Sequence, residues 1–140
     1  REHRAFLETL QSRIRAAGLS GRILFPGEIP ADRLPALMRA LSLVVQLPRY
    51  EGYGMVPLEA MAAGTPFVGS DAGYYRAFTA QGRAGSIVET PQQAASAARD
   101  LLAAQQDHSE AARRIAVSGF SARTEADGIA SVYRSLWSRT

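Results

Sequence analysis

Glu51-Gly52-Tyr53-Gly54-Met55-Val56-Pro57-Leu58-Glu59 is a glycine-rich turn that opens a helix and carries a carboxylate at each end. Glycine lets the backbone approach a ligand closely, and the free N–H groups at the start of a helix favour an anion such as phosphate. Carboxylates repel phosphate, so Glu51 and Glu59 are better suited to accept hydrogen bonds from sugar or ribose hydroxyls. These three preferences together predict a nucleotide-sugar as the ligand.

The residues on either side of this turn predict a strand, a helix and a second strand. Residues 43–47 form an apolar run typical of a strand buried on both faces of a parallel sheet. After the turn, Pro57 is tolerated in the first turn of a helix, Gly64 can end that helix, and residues 65–69 predict the next strand. The turn is therefore expected at the carboxyl end of a strand.

The whole run resembles the donor-site signature of a known family. Glu51-x7-Glu59 followed by Ala60-Met61-Ala62-Ala63-Gly64-Thr65-Pro66-Phe67-Val68 is similar to retaining glycosyltransferases of the GT-B fold with an E-x7-E motif (glycosyltransferase group 1, family 4). Phe25-Pro26-Gly27-Glu28-Ile29 and Leu34-Pro35-Ala36-Leu37-Met38 fit the strand, loop and helix that precede it in the family. Two glutamates at this spacing occur in many helices, and the alternative is that both are solvated charges at a helix end.

The resemblance implies a set of donor-binding residues: Gly27, Glu28, Ile29, Glu51, Gly52, Tyr53, Gly54, Met55, Val56 and Glu59. Glu51, the predicted catalytic residue, would bind hydroxyls of the transferred sugar, and Glu59 would hold the ribose diol. The amides from Gly52 to Met55 would face the sugar and the distal phosphate, and the loop at 27–29 would flank the base. Met55 and Val56 would pack against ribose and sugar, with ordinary packing at the helix start as the open alternative.

The family resemblance also implies the chemistry. Transfer would retain the anomeric configuration and need neither a divalent metal nor another cofactor. Catalysis would consist chiefly of positioning and of stabilising the departing diphosphate. The segment Asp71-Ala72-Gly73-Tyr74-Tyr75-Arg76 departs from the common family pattern and resembles lipopolysaccharide-core mannosyltransferases. GDP-mannose is the predicted donor, with UDP-linked sugars left open.

Strand and helix patterns alternate along the whole chain. A helix over the first residues stops at Gly18, residues 22–25 predict a short strand, and Asp32 is expected to cap the next helix. Ser70 or Asp71 is expected to cap a helix through Phe78, and residues 86–88 predict a further strand. Two more helices follow: one opened by a capping box, Thr90-Pro91-Gln92-Gln93, and one amphipathic helix from Ser121.

The pattern predicts an α/β fold with a Rossmann-like parallel sheet and flanking helices. By the resemblance, residues 1–140 are one partial C-terminal nucleotide-sugar-binding domain of a GT-B glycosyltransferase. The domain's first two strands, with their cationic residues, and the N-terminal acceptor domain have no counterpart in the sequence. In the family's strand order, 3-2-1-4-5-6, the strand at 22–25 would then be separated from the strand at 43–47. We therefore expect weak donor binding and no activity from these residues alone.

Composition excludes several classes of protein. The chain has 140 residues, no cysteine and a net charge of +3 that comes from sixteen arginines. The arginines are scattered without interleaved aromatic residues, which argues against nucleic-acid binding. No apolar run approaches a membrane span of about 18 residues. We expect a cytoplasmic protein, with a position at the inner face of the membrane and peripheral lipid contact compatible with the charge.

Three functions are compatible with these residues. The leading hypothesis is glycosyl transfer from a nucleotide-sugar to a glycan or lipid-linked acceptor in envelope polysaccharide or lipopolysaccharide synthesis, the acceptor being bound by the missing domain. The alternatives are a stand-alone nucleotide-sugar-binding module and an interaction remnant without catalysis. A partner copy that completes the sheet is a further expectation.

Overall fold

The computed structural model describes residues 2–79 and 83–138. The chain divides into two compact units, residues 1–30 and 31–140. The first contains helix α1 (Glu2–Ala16), which ends as predicted because Gly18 adopts a left-handed conformation with φ of 69°.

The predicted strand at residues 22–25 is wrong. The Arg22 N–H donates to the Leu19 carbonyl in a turn, and no described segment pairs with residues 22–25. A strand exists only through hydrogen bonds to a neighbour, so the apolar pattern alone does not produce one here.

The second unit contains three strands and six helices within its described residues. Their bounds are α2 (Leu34–Ala40), β1 (Val44–Gln46), α3 (Met55–Ala62), β2 (Phe67–Gly69), α4 (Tyr75–Thr79), β3 (Gly85–Ile87), α5 (Pro91–Ala103), α6 (Gln105–Gly119) and α7 (Ala122–Trp137). The strands form one parallel sheet in the order β1-β2-β3, with Val45 opposite Val68 and Val68 opposite Ser86. This confirms the predicted α/β fold with a parallel sheet and flanking helices.

Successive residues of β2 bury opposite faces of the sheet. Phe67 lies in a core formed with α3, α4 and α6, whereas Val68 lies in a second core with Val88 and helix α5. This follows from the alternation of side chains along a strand, and it makes the second unit a helix-sheet-helix sandwich.

A buried side chain joins helix α2 to the segment just before β2. The Thr65 hydroxyl donates to the carbonyl of Met38 in the last turn of α2. Asp32 does not cap this helix, contrary to our prediction: Arg33 occupies the N-cap without a side-chain bond. Pro35 has no N–H to donate, and the Ala36 N–H already donates to the Arg33 carbonyl, so a side-chain cap has little to satisfy.

Neither predicted cap begins α4, which starts only at Tyr75. The Ser70 hydroxyl donates to the Pro48 carbonyl at 2.6 Å, and the Asp71 carboxylate accepts two bonds from Arg76 at 2.7 and 2.8 Å. Both side chains are therefore used to fix the loop after β2. That ion pair lowers the pKa of Asp71 below its ordinary value, chiefly through the hydrogen bond from Arg76.

The C-terminal helices match the sequence in part. Thr90 and Gln93 form the predicted capping box of α5, and Ser121 caps the predicted amphipathic helix α7. Helix α6 was not predicted. The apolar stripe of α7 does not enter the core, since none of the residues of α7 is buried.

Candidate functional site

The Glu51 turn lies where the sequence predicts, between the carboxyl end of β1 and the first residue of α3. Gly54, the N-cap residue of α3, has φ of 111°, a left-handed conformation that other residues rarely adopt. A Cβ at this position would lie 2.8 Å from Cδ1 of Tyr75 and closer still to Cε1. Glycine is required here both by the backbone angle and by the aromatic ring packed against it.

The loop after β2 packs directly against this turn. Tyr74 donates its N–H to the Tyr53 carbonyl at 3.0 Å. Gly73 has φ of 52°, and a Cβ there would lie 2.8 Å from the Tyr53 oxygen and 3.1 Å from Cγ of Glu51. The loops that follow β1 and β2 thus meet at the carboxyl edge of the sheet, where open α/β sheets bind ligands.

Aromatic side chains of the following segment pack against Tyr53 in the turn. The ring of Tyr53 lies 5.0 Å from that of Tyr74 and 5.7 Å from that of Phe78, centroid to centroid. Phe78 in turn packs edge-on against Phe120 at 4.8 Å. These ring contacts connect the turn to α4 and to the end of α6, and they restrict its movement.

Glu51 is half-buried, and its carboxylate accepts a long hydrogen bond from the Tyr53 N–H at 3.4 Å. The buried Tyr75 hydroxyl lies nearby. Burial raises the pKa of Tyr75, and the Glu51 carboxylate raises it further, first through its negative charge and then by interacting with the proton of the phenol. The Glu51 carboxylate oxygens can therefore accept further hydrogen bonds, for example from a ligand.

The start of α3 presents open donors. No described residue accepts a hydrogen bond from the N–H groups of Met55 and Val56, the first two residues of the helix. Both side chains are exposed, by 54% and 43%. They are therefore available to a ligand and do not belong to the core of the described residues.

Glu59 lies one helical turn beyond Met55 and lines a cleft between α2 and α3. The cleft has a volume of about 410 Å³ and includes the exposed side chain of Arg39. Its other lining residues are mostly apolar: Ala31, Leu34, Pro35, Met38, Ala62 and Ala63. A mostly apolar cleft of this size with a few polar groups is typical of sites for small organic ligands.

The three residues predicted to flank the base lie in the first unit. Gly27 has φ of 72°, Glu28 is exposed and Ile29 is half-buried in a segment without regular structure. Their contact with a nucleotide base stays a prediction. Sequence reasoning did not identify Tyr75, whose ring shapes the turn, because nothing in the local pattern indicates which atoms a buried tyrosine contacts.

Within the part of the chain that the structure describes, no cluster of three or more His, Asp or Glu side chains is placed to hold a metal ion. None of the described helices is long and apolar enough to cross a membrane.

Together, the parallel sheet, the two loops at its carboxyl edge and the E-x7-E turn form the kind of α/β ligand-binding domain that the sequence predicts. Comparison with known sequences agrees: the family described as "Glycosyl transferases group 1" matches residues 5–118. The chain belongs to this family.

Two similar relatives are rhizobial. The chain is 42% identical over 96% of its length to the lipopolysaccharide core biosynthesis mannosyltransferase LpcC of Rhizobium leguminosarum bv. viciae, and covers 39% of that protein. It is 36% identical, again over 96% of its length, to the lipopolysaccharide core biosynthesis mannosyltransferase LpsB of Rhizobium meliloti strain 1021, covering 40% of it. The chain thus spans about two fifths of the length of these relatives.

Solved structures share the GT-B fold. Anabaena HepE in complex with UDP superposes with a TM-score of 0.83 at 28% identity, over 96% of this chain and 38% of that one. The C-terminal domain of the glycosyl transferase group 1 family protein LpcC from Francisella tularensis gives 0.76 at 26% identity, over 84% of this chain and 64% of that one. The resemblance to the GT-B glycosyltransferase family is therefore confirmed.

Proposed function

We propose that the natural protein carrying this chain transfers a glycosyl unit from a nucleotide-sugar to a saccharide acceptor of the lipopolysaccharide core, and that this chain binds the donor. The observation that carries the proposal is the turn from Glu51 to Gly54, packed at the carboxyl edge of a parallel sheet and opening α3. The names of the rhizobial relatives favour mannose as the sugar.

The donor's parts match distinct features of the site. The free amides of Met55 and Val56, at the positive end of the α3 dipole, suit the distal phosphate. Glu51, with its unused acceptor capacity, suits the hydroxyls of the sugar. Glu59 and the cleft beside it suit the ribose diol and an apolar nucleoside face.

Catalysis in this proposal rests on positioning rather than on acid–base chemistry. Charge develops on the leaving diphosphate as the glycosidic bond breaks, and the amides at the start of α3 stabilise it without reorganising. Glu51 holds the sugar so that its anomeric carbon faces the acceptor, and the anomeric configuration is retained. No divalent metal takes part, and the chain alone is inactive. A cytoplasmic location is part of the same proposal.

A transfer assay with labelled donors tests this function. The natural protein is incubated with GDP-[14C]mannose and core oligosaccharide released from truncated lipopolysaccharide, with UDP-[14C]glucose in a parallel reaction. We expect label to enter the oligosaccharide from GDP-mannose. Incorporation only from UDP-glucose would overturn the choice of donor, and binding of the donors without incorporation from either would favour a binding module.

A further inference from the structure

The Tyr75 hydroxyl is a buried polar group of the second unit that lacks a geometric hydrogen bond. Tyr75 is fully buried, yet its Oη atom has no hydrogen-bond partner among the described residues. Buried tyrosine hydroxyls normally find a partner, because the lost contact with water is otherwise uncompensated. An unpaired phenol in a packed core is therefore a hydrogen-bond donor that remains available to a neighbouring acceptor.

The ring of Tyr75 is wedged between the Glu51 turn and the end of β2. A Cβ at Gly69, the last residue of β2, would lie 2.5 Å from Cδ2 of the ring, and a Cβ at Gly54 would collide with its opposite edge. Phe67 packs edge-on against the ring at 5.5 Å between centroids. Two glycines and an aromatic neighbour thus fix where the phenol lies.

Glu51 is the carboxylate that acts on this phenol. Gly73, two residues before Tyr75, lies against Cγ of Glu51, and the Glu51 charge acts on the Tyr75 hydroxyl. Because burial and this charge both raise the pKa of Tyr75, the phenol stays protonated at neutral pH and can only donate to a carboxylate. Glu51 in turn accepts one long bond, from the Tyr53 N–H at 3.4 Å.

Resting on the proposed function, we propose that Tyr75 is a positioning residue whose hydroxyl donates a hydrogen bond to the Glu51 carboxylate and holds it towards the bound sugar. Tyr75 does not touch the donor. It acts through Glu51, so its removal affects the step in which the sugar must be held in a reactive geometry.

The test is Tyr75→Phe in the natural protein, which removes one oxygen and leaves the ring in place. We expect kcat for transfer from GDP-mannose to fall about tenfold or more, with the KM for GDP-mannose and the Kd for GDP changed less than about twofold. Thermal stability should change little, because the buried ring, which fills the core, is kept. Tyr133→Phe, at an exposed tyrosine of α7, is the matched control and should leave all four quantities unchanged.

The outcomes separate this inference from the function on which it rests. Unchanged kcat in Tyr75→Phe, in a parent protein that does transfer mannose, overturns the role of Tyr75 alone. The inference is also overturned if Tyr75→Phe loses kcat and GDP affinity equally and melts at a lower temperature. That result would mean that the Tyr75 hydroxyl matters only for packing. A parent protein that transfers no sugar overturns the proposed function and this inference together.

Discussion

Glu51 and Gly54 show how single residues set the properties of this site. Gly54 adopts a left-handed backbone conformation, and the Tyr75 ring fills the space that a side chain at Gly54 would need. The resulting turn places Glu51 at the carboxyl edge of the sheet. The carboxylate is half-buried but poorly bonded. Gly54 thus determines the shape of the turn, whereas Glu51 provides its hydrogen-bond acceptors.

Replacing Glu51 by Ala should impair catalysis more than binding. In the proposed function Glu51 orients the transferred sugar, whereas the phosphates and the nucleoside are held by other groups, so we expect a loss of about a hundredfold in kcat for transfer. The Kd for GDP, measured by calorimetry on the natural protein, should change by less than about threefold. Equal losses in turnover and GDP affinity would contradict this role.

Gly54→Ala should destabilise the fold. A left-handed conformation at a residue with a side chain costs about 1–3 kcal/mol, and the clash with Tyr75 adds to this. The free energy of unfolding in urea measures the effect. Gly52→Ala is the matched control, since no atom lies within 4 Å of a Cβ at that position and its φ is not left-handed. Similar stability of the two variants would show that the turn is not held as described.

Tyr75 should make the fold sensitive to high pH. An unfolded tyrosine ionises at about pH 10, whereas burial and then Glu51 raise the pKa of Tyr75 in the folded state. Above about pH 10 the unfolded chain therefore binds fewer protons than the folded chain, and stability falls as pH rises. Tyr75→Phe should lose less unfolding free energy than the wild type between about pH 9 and pH 11. Parallel curves for the two proteins would refute this.

Helices and strands follow the sequence where local rules decide them, and depart where long-range contacts do. The capping box at Thr90 and the left-handed stop at Gly18 are local, and both were predicted correctly. The strand at 22–25 was wrong because pairing depends on a neighbour, not on its own residues. Ser70 and Asp71 have good capping side chains, but tertiary partners in Pro48 and Arg76 use them instead.

Loss of the capping box should weaken α5 measurably. The Thr90 hydroxyl accepts from the Gln93 N–H, while the Gln93 side chain accepts from the Thr90 N–H. Thr90→Ala should lower the free energy of unfolding by about 1 kcal/mol, measured by urea titration. Ser96→Ala, which also removes a hydroxyl from an exposed position of α5, should cost nothing because alanine favours helix. A cost at Ser96 equal to that at Thr90 would show that the box contributes nothing specific.

In the whole molecule, the motif was easier to predict than its surroundings. The positions of the turn, of α3 and of β2 could be read from Glu51-x7-Glu59 and the glycines that follow, since each has a local signal. The packing of the 73–75 segment beneath the turn could not, because it joins loops that are distant in sequence. Nor does the apolar stripe of α7 reveal by itself that the helix stays exposed among the residues that the structure describes.

Donor binding by the natural protein is the most direct test of the account, because both glutamates and α3 are assigned to it. The measurement is calorimetric titration with GDP-mannose of the wild type, of Glu59→Ala and of Glu110→Ala, an exposed glutamate of α6. We predict saturable one-to-one binding that Glu59→Ala weakens about tenfold or more and that Glu110→Ala leaves unchanged. Undiminished binding by Glu59→Ala would contradict the claim that this chain binds the donor. So would a wild type that binds none of GDP-mannose, GDP and UDP-glucose.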